Sequence, residues 1–124
     1  MARILTVDDQ DAVRTAMRRV LEKAGYQVEE ASSGGEALLS IARSRPDAVI
    51  CDVFMAGMDG LDLLTKVKEV APGIRVVVMS GGGNEVVDEV LRRAVELGAD
   101  EVLRKPFDAV ELLALFKHVL PEGA

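Results

Sequence analysis

The stretch Ala48-Val49-Ile50-Cys51-Asp52 decides how this chain is read. Four apolar residues without alternation describe a strand covered on both faces, as in the centre of a parallel sheet, and the run ends on a carboxylate. Downstream the pattern recurs at Arg75-Val76-Val77-Val78-Met79, which ends on Ser80, and at residues 101–104, which end on Lys105-Pro106. Upstream, residues 3–7 form a first such run ending on Asp8-Asp9, and residues 26–31 a second.

Segments of helical period fill the intervals. The first carries Val13, Met17, Val20, Leu21 and Ala24 on one face and stops at Gly25, with Asp11 as its expected N-cap. Ser32-Ser33-Gly34-Gly35 opens the second, which bears Ala37, Leu38, Ile41 and Ala42 and ends before Pro46. Residues 61–70 form a third, and residues 84–97 a fourth that Gly98 closes. A fifth, over residues 108–120, is capped by Asp108 and carries Ala109, Leu112, Leu113, Phe116 and Leu120. Strands alternating with helices predict an α/β fold of parallel βαβ units, taken here as the flavodoxin-like, doubly wound kind. The expected sheet has five parallel strands in the order 2-1-3-4-5 with five helices, forming one domain over residues 1–124.

Composition agrees with a globular domain: 49% of residues are hydrophobic and 29% charged, far too apolar for a disordered chain. The formal charge of −6 disfavours nucleic acid and anionic membrane surfaces, so the expected partners are proteins. Cys51 is the sole cysteine, which precludes an internal disulfide and suits a reducing cytoplasm. Met1 leads through Arg3 straight into Ile4-Leu5-Thr6-Val7 with no long apolar run, so neither export nor membrane insertion is expected.

The chemistry lies at the strand ends. Asp8-Asp9, Asp52, Ser80 and Lys105 each follow a strand, and in open α/β sheets ligands bind at that edge. In the order 2-1-3-4-5 the first and third strands are neighbours, which brings Asp8, Asp9 and Asp52 toward one pocket. Two carboxylates about 5 Å apart at an effective dielectric near 20 repel by roughly 3 kcal/mol. Three together must take up protons, separate, or bind a cation. All-oxygen ligation in a water-accessible cleft suits Mg2+. A carboxylate beside that ion, a lysine and a hydroxyl can act as the nucleophile of phosphoryl transfer, giving an aspartyl phosphate.

Each residue alone also has a plain structural reading: Asp8-Asp9 as a capping pair, Asp52 and Ser80 as turn residues, Lys105 as a solvated charge. Their joint placement on four strand ends favours the site. Gly81-Gly82-Gly83 lacks the lysine of a P-loop and reads as a loop that admits phosphate. His118, on the polar side of the last helix, is assigned no role. Val86, Val87, Val90, Leu91, Ala94, Val95 and Leu97 make an apolar arc wide enough for core packing plus a partner surface.

Over essentially its whole length the sequence resembles the response-regulator receiver family. The resemblance is carried by Val7-Asp8-Asp9, Asp52-Val53-Phe54-Met55 with Gly57-Met58-Asp59-Gly60, Met79-Ser80-Gly81, and Gly98-Ala99 before Lys105-Pro106-Phe107. It implies that Asp52 accepts phosphate from a sensor histidine kinase or a histidine phosphotransfer protein. It also implies magnesium ligation by Asp9, by Asp8 mainly through water, by Asp52 and by the Phe54 carbonyl, with switch roles for Ser80, Lys105 and Pro106. Output would pass through helix 84–97, strand 101–104 and helix 108–120, to a downstream protein or a second copy. Ala56 stands where the family usually has proline, and Val102 where it usually has a switching Tyr or Phe.

Two other functions compete. Asp9-Gln10-Asp11-Ala12-Val13 fits the D-x-D-x-[TV] pattern of haloacid-dehalogenase-type phosphatases, with Asp9 as nucleophile, but leaves Asp52 unexplained. A pseudo-receiver that binds a partner without phosphorylation draws support from Val102, and the complete acidic set opposes it.

Overall fold

The computed structural model describes residues 2–81 and 85–121, Glu85 by its backbone alone. The elements in chain order are β1 (Arg3–Val7), α1 (Asp11–Lys23), β2 (Gln27–Ala31), α2 (Gly34–Arg43), β3 (Ala48–Asp52), α3 (Gly60–Val70), β4 (Arg75–Ser80), α4 (Glu85–Glu96), β5 (Glu101–Arg104) and α5 (Ala109–Val119). The strands lie in the order β2-β1-β3-β4-β5, and every neighbouring pair is parallel. The expected architecture and strand order are therefore those observed.

Alternation along the strands sorts side chains onto two faces. Val49, Cys51, Val76 and Val78 pack on one side with Leu63, Leu64, Val67, Leu91 and Ala94, under α2, α3 and α4. Ile50, Val77 and Met79 pack on the other with Met17, Leu21, Leu112 and Phe116, under α1 and α5. All five residues of β3 are buried, which explains why that strand is apolar throughout until its final carboxylate.

The starts of α1 and β2 and the exposure of three alanines differ from expectation. Gln10, not Asp11, is the N-cap of α1, and its side chain makes no capping bond. Asp11 sits in the first turn, where the helix dipole favours a carboxylate, and pairs with Arg14. Tyr26 lies outside β2 because its N–H closes the end of α1 on the Leu21 carbonyl at 3.1 Å, and its ring packs against Phe116. On the core faces proposed for the helices, Ala24, Ala42 and Ala109 are exposed instead. Gly82, Gly83 and Asn84, expected in the glycine-rich loop and the start of the fourth helix, lie outside the described residues. Capping at Ser33, Asp59 and Asp108 is as the helix chemistry requires, each side chain accepting a backbone N–H three residues on.

At the edge opposite the strand ends of interest, Asp100 fastens β4 to β5. Its Oδ2 accepts from the Val76 N–H at 2.7 Å and from Lys68 Nζ at 2.9 Å, and its own N–H donates to the Val76 carbonyl at 2.8 Å. Partial burial opposes the charge, but Lys68, the Val76 N–H and Arg75 outweigh it and hold the carboxyl below its ordinary pKa. A depressed acid contributes stability above its unfolded pKa and loses it as pH falls through its folded one. Asp100→Asn should therefore cost about 1–2 kcal/mol at neutral pH, with the gap from wild type closing in acid. Urea unfolding across that range checks this; a gap constant with pH would assign the loss to packing instead.

Candidate functional site

Asp8 follows β1 and is fully buried. Its N–H donates to the Ala31 carbonyl at 3.2 Å, and its Oδ1 accepts the Gln10 N–H at 2.9 Å. Asp52 ends β3 and is also buried; its Oδ1 accepts the Phe54 N–H at 3.1 Å. The remaining oxygens of the two carboxylates meet one ammonium: Lys105 Nζ donates to Asp8 Oδ2 at 3.0 Å and to Asp52 Oδ2 at 2.7 Å. Lys105 is placed by β4, since its N–H donates to the Ser80 carbonyl at 2.8 Å, and the Lys105–Pro106 peptide is cis.

This arrangement relieves the repulsion between neighbouring carboxylates with a cation from the chain itself. Burial works against the Lys105 charge, but hydrogen bonds and charge from Asp52 and Asp8 overcome it and hold the ammonium above its ordinary pKa. With two carboxylates and one ammonium, the trio keeps one net negative charge.

Asp9 stands outside this pair. It is exposed, and its carboxylate makes no hydrogen bond or ion pair among the described residues. No group of three or more His, Cys, Asp or Glu side chains gathers into a metal-holding cluster among those residues. The donor chemistry nonetheless fits a hard divalent ion: the available ligands are carboxylate and carbonyl oxygens with residual negative charge, next to an exposed acidic residue.

Ser80, at the end of β4, is fully buried, and its Oγ is the one buried side-chain polar atom without a hydrogen-bond partner among the described residues. Because Asp52 aligns with Met79, Ser80 lies one residue further toward the same edge. An unpaired buried hydroxyl costs about 1–3 kcal/mol, and a ligand at that edge would satisfy it. Val102, opposite Val78, packs against the core on the α2–α4 side.

Other residues are placed away from the chemistry. Asp11, the second acid of the phosphatase-like pattern, is paired to Arg14 with 89% of its side chain exposed. His118 is likewise exposed, 3.8 Å from Glu101. Burial, then the charges of Asp52 and Asp59, push the Cys51 thiol up to about 12, so it stays protonated in the core.

Two supports escaped sequence reasoning. A Cβ on Gly60 would stand 2.4 Å from the Asp52 carbonyl oxygen and 2.8 Å from Val53 Cα. Only glycine lets α3 begin that close to the end of β3; the motif Gly57-Met58-Asp59-Gly60 carried the family resemblance without announcing this contact. The second is Arg14, which hydrogen-bonds the Asp8 carbonyl and Glu30; nothing in its local sequence announces a long-range role. An apolar groove of about 590 Å³ also opens between α1 and α5 beside Lys105, lined in part by Val13, Met17, Pro106, Phe107 and Leu112.

Lys105→Met leaves two carboxylates without their shared cation and should cost about 2 kcal/mol at neutral pH, below the figure for fully enclosed pairs because the site is partly open. A base with a raised pKa contributes stability below its unfolded value and loses it as pH rises through the folded one. The gap should therefore narrow only above the ordinary lysine range. Denaturant unfolding from neutral to strongly alkaline pH checks this, and equal stability of the two proteins at neutral pH would contradict it.

Residues 4–117 match the response regulator receiver domain family. The chain is 37% identical over 119 residues to sporulation initiation phosphotransferase F of Bacillus subtilis, covering 96% of this chain and 94% of that protein. It is 42% identical over 120 residues to response regulator MprA of Mycobacterium leprae, covering 95% of this chain and 50% of MprA; it thus spans half the length of that relative. The crystal structure of the receiver domain of NtrX from Brucella abortus superposes with a TM-score of 0.88 at 33% identity, covering 94% of this chain and 97% of that one. Together with the fold and the lysine-bridged acidic edge, these likenesses establish that the chain belongs to the response-regulator receiver family, whose domains are phosphorylation-dependent switches of two-component signalling rather than metabolic enzymes.

Proposed function

We propose that Asp52 is the phosphoacceptor. One of its carboxylate oxygens attacks the phosphorus of a phosphohistidine on a sensor histidine kinase or histidine phosphotransfer protein. The phosphorus–nitrogen bond breaks, its electron pair stays with the imidazole nitrogen, and an aspartyl phosphate forms. The observation that carries this reading is the 2.7 Å contact between Lys105 Nζ and Asp52, which puts a cation where phosphoryl oxygens would arrive. The unpaired Ser80 hydroxyl is free to donate to another of those oxygens.

Magnesium dependence is general in the family. Here Asp9, Asp52 and the Phe54 carbonyl would hold the ion directly and Asp8 through water, and when bound it supplies positive charge for the phosphoryl oxygens. Asp8, meanwhile, helps hold Lys105 over Asp52. Receiver domains interact with histidine kinases and downstream effectors; the specific surface proposed here is that of α4, β5 and α5, offered to a downstream protein or a second copy. No helix among the described residues is long and apolar enough to cross a membrane, and we place the domain, residues 1–124, in the cytoplasm.

Phosphorylation adds about one further negative charge beside Ser80 and Lys105. The new hydrogen bonds supply only a few kcal/mol, so the two states must already lie within about that gap. Arg104 pairs with Asp88, which ties β5 to α4 directly. With valine at position 102, the change travels by displacement of backbone and helix rather than by rotation of a ring.

Acetyl phosphate with magnesium should add one acid-stable, base-labile phosphoryl group, absent from Asp52→Asn. Peptide mapping reads the position; modification retained in Asp52→Asn and lost in Asp9→Asn would favour the phosphatase chemistry. Hydrogen exchange with the beryllofluoride mimic should show changes reaching α4 and β5. Changes confined to the loop after Asp52 would overturn the proposed output surface.

A further inference from the structure

We propose that Arg14 is a positioning residue for divalent-ion binding, acting through the peptide that joins Asp8 to Asp9; the inference rests on the magnesium-dependent reading above and deepens it. The Arg14 side chain, 12% exposed, reaches three partners: the Asp8 carbonyl, Glu30 Oε1 from Nε at 3.1 Å, and Asp11. Glu30 belongs to β2 and is gripped a second time by Arg18.

The Asp8 backbone is thereby held from both sides by β2. Its N–H donates to the Ala31 carbonyl, and its carbonyl accepts from a guanidinium anchored on Glu30. A peptide group is planar, so fixing the Asp8 oxygen also fixes the N–H and Cα of Asp9. Asp9 has no side-chain partner among the described residues, which leaves its backbone alone to decide where its carboxylate stands. Asp8 and Asp52 need no such help, because Lys105 and backbone N–H groups pin both. Loss of Arg14 therefore loosens the exposed acid while sparing the nucleophile and its lysine. Guanidinium suits the task, since its fork spans a carbonyl and two carboxylates at once.

The effect should appear in ion affinity rather than in chemistry. Calorimetric titration with magnesium alone should show Arg14→Ala binding about tenfold more weakly, the scale expected from freeing one peptide's torsions. The maximal rate of modification by acetyl phosphate at saturating magnesium should stay within about twofold of wild type by the same reasoning. Arg14→Lys, whose ammonium cannot span the three partners, should weaken binding in the same direction and carries the test if Arg14→Ala does not fold. Arg18→Ala is the control: it removes a partner of Glu30 and of the Val28 carbonyl without touching Asp8, and its magnesium affinity should stay at the wild-type value. Unchanged affinity in both Arg14 variants, or an equal loss in Arg18→Ala, would overturn the role. If wild type itself neither binds magnesium nor takes phosphate, the functional reading fails and this inference falls with it, whereas wild-type binding with unchanged Arg14 variants overturns this inference alone.

Discussion

The Lys105 ammonium, held between a carboxylate at the end of β1 and another at the end of β3, is the contact on which the functional edge depends. Two buried acids side by side repel unless a cation stands between them. That cation comes from the residue after β5, two strands away from β3, so it arrives only when β4 and β5 are docked in order. The Lys105 N–H on the Ser80 carbonyl sets its height. Buried ion pairs add little stability over apolar replacements; under the proposed function, the ammonium that neutralises the two carboxylates is also the group that would turn to phosphoryl oxygens.

The remainder of the fold holds that edge in place. β3 is buried along its whole length, and Gly60 lets α3 begin against the backbone of Asp52, which fixes where Asp52 stands. At the far edge Asp100 joins β4 to β5 through backbone and side chain together. The strands are thus tied at one end by groups that are fully hydrogen-bonded, and at the other by charges that can change partners. A switch needs this asymmetry, because rearrangement at the upper edge must not unravel the sheet.

The proposed outward path would run through packing. Val102 sits among aliphatic neighbours on the α4 side of the sheet, and the Arg104–Asp88 pair spans from β5 to α4. With no ring to turn at position 102, the proposed coupling between pocket and surface would rest on how α4 lies against β4 and β5.

Sequence alone determined the number and type of elements and the residues at the strand ends, because these follow from local signals: apolar runs of strand length, helical spacing, and glycines and caps between them; the strand order was taken from the flavodoxin-like fold and is the one observed. It identified Asp8, Asp9, Asp52, Ser80 and Lys105 as members of one edge, since a doubly wound sheet carries its strand ends there. Which of them touch was decided by tertiary structure. The periodicity of a strand says nothing of whether Lys105 bridges Asp8 and Asp52 or whether Asp9 joins them, and an isolated Asp9 follows from its place on the exposed turn after β1. Arg14 and Gly60 were legible only in three dimensions: a long side chain on a helix face looks like any solvated charge until its partners on β1 and β2 are placed. A glycine at a helix start likewise looks like punctuation until the backbone of Asp52 is found against it.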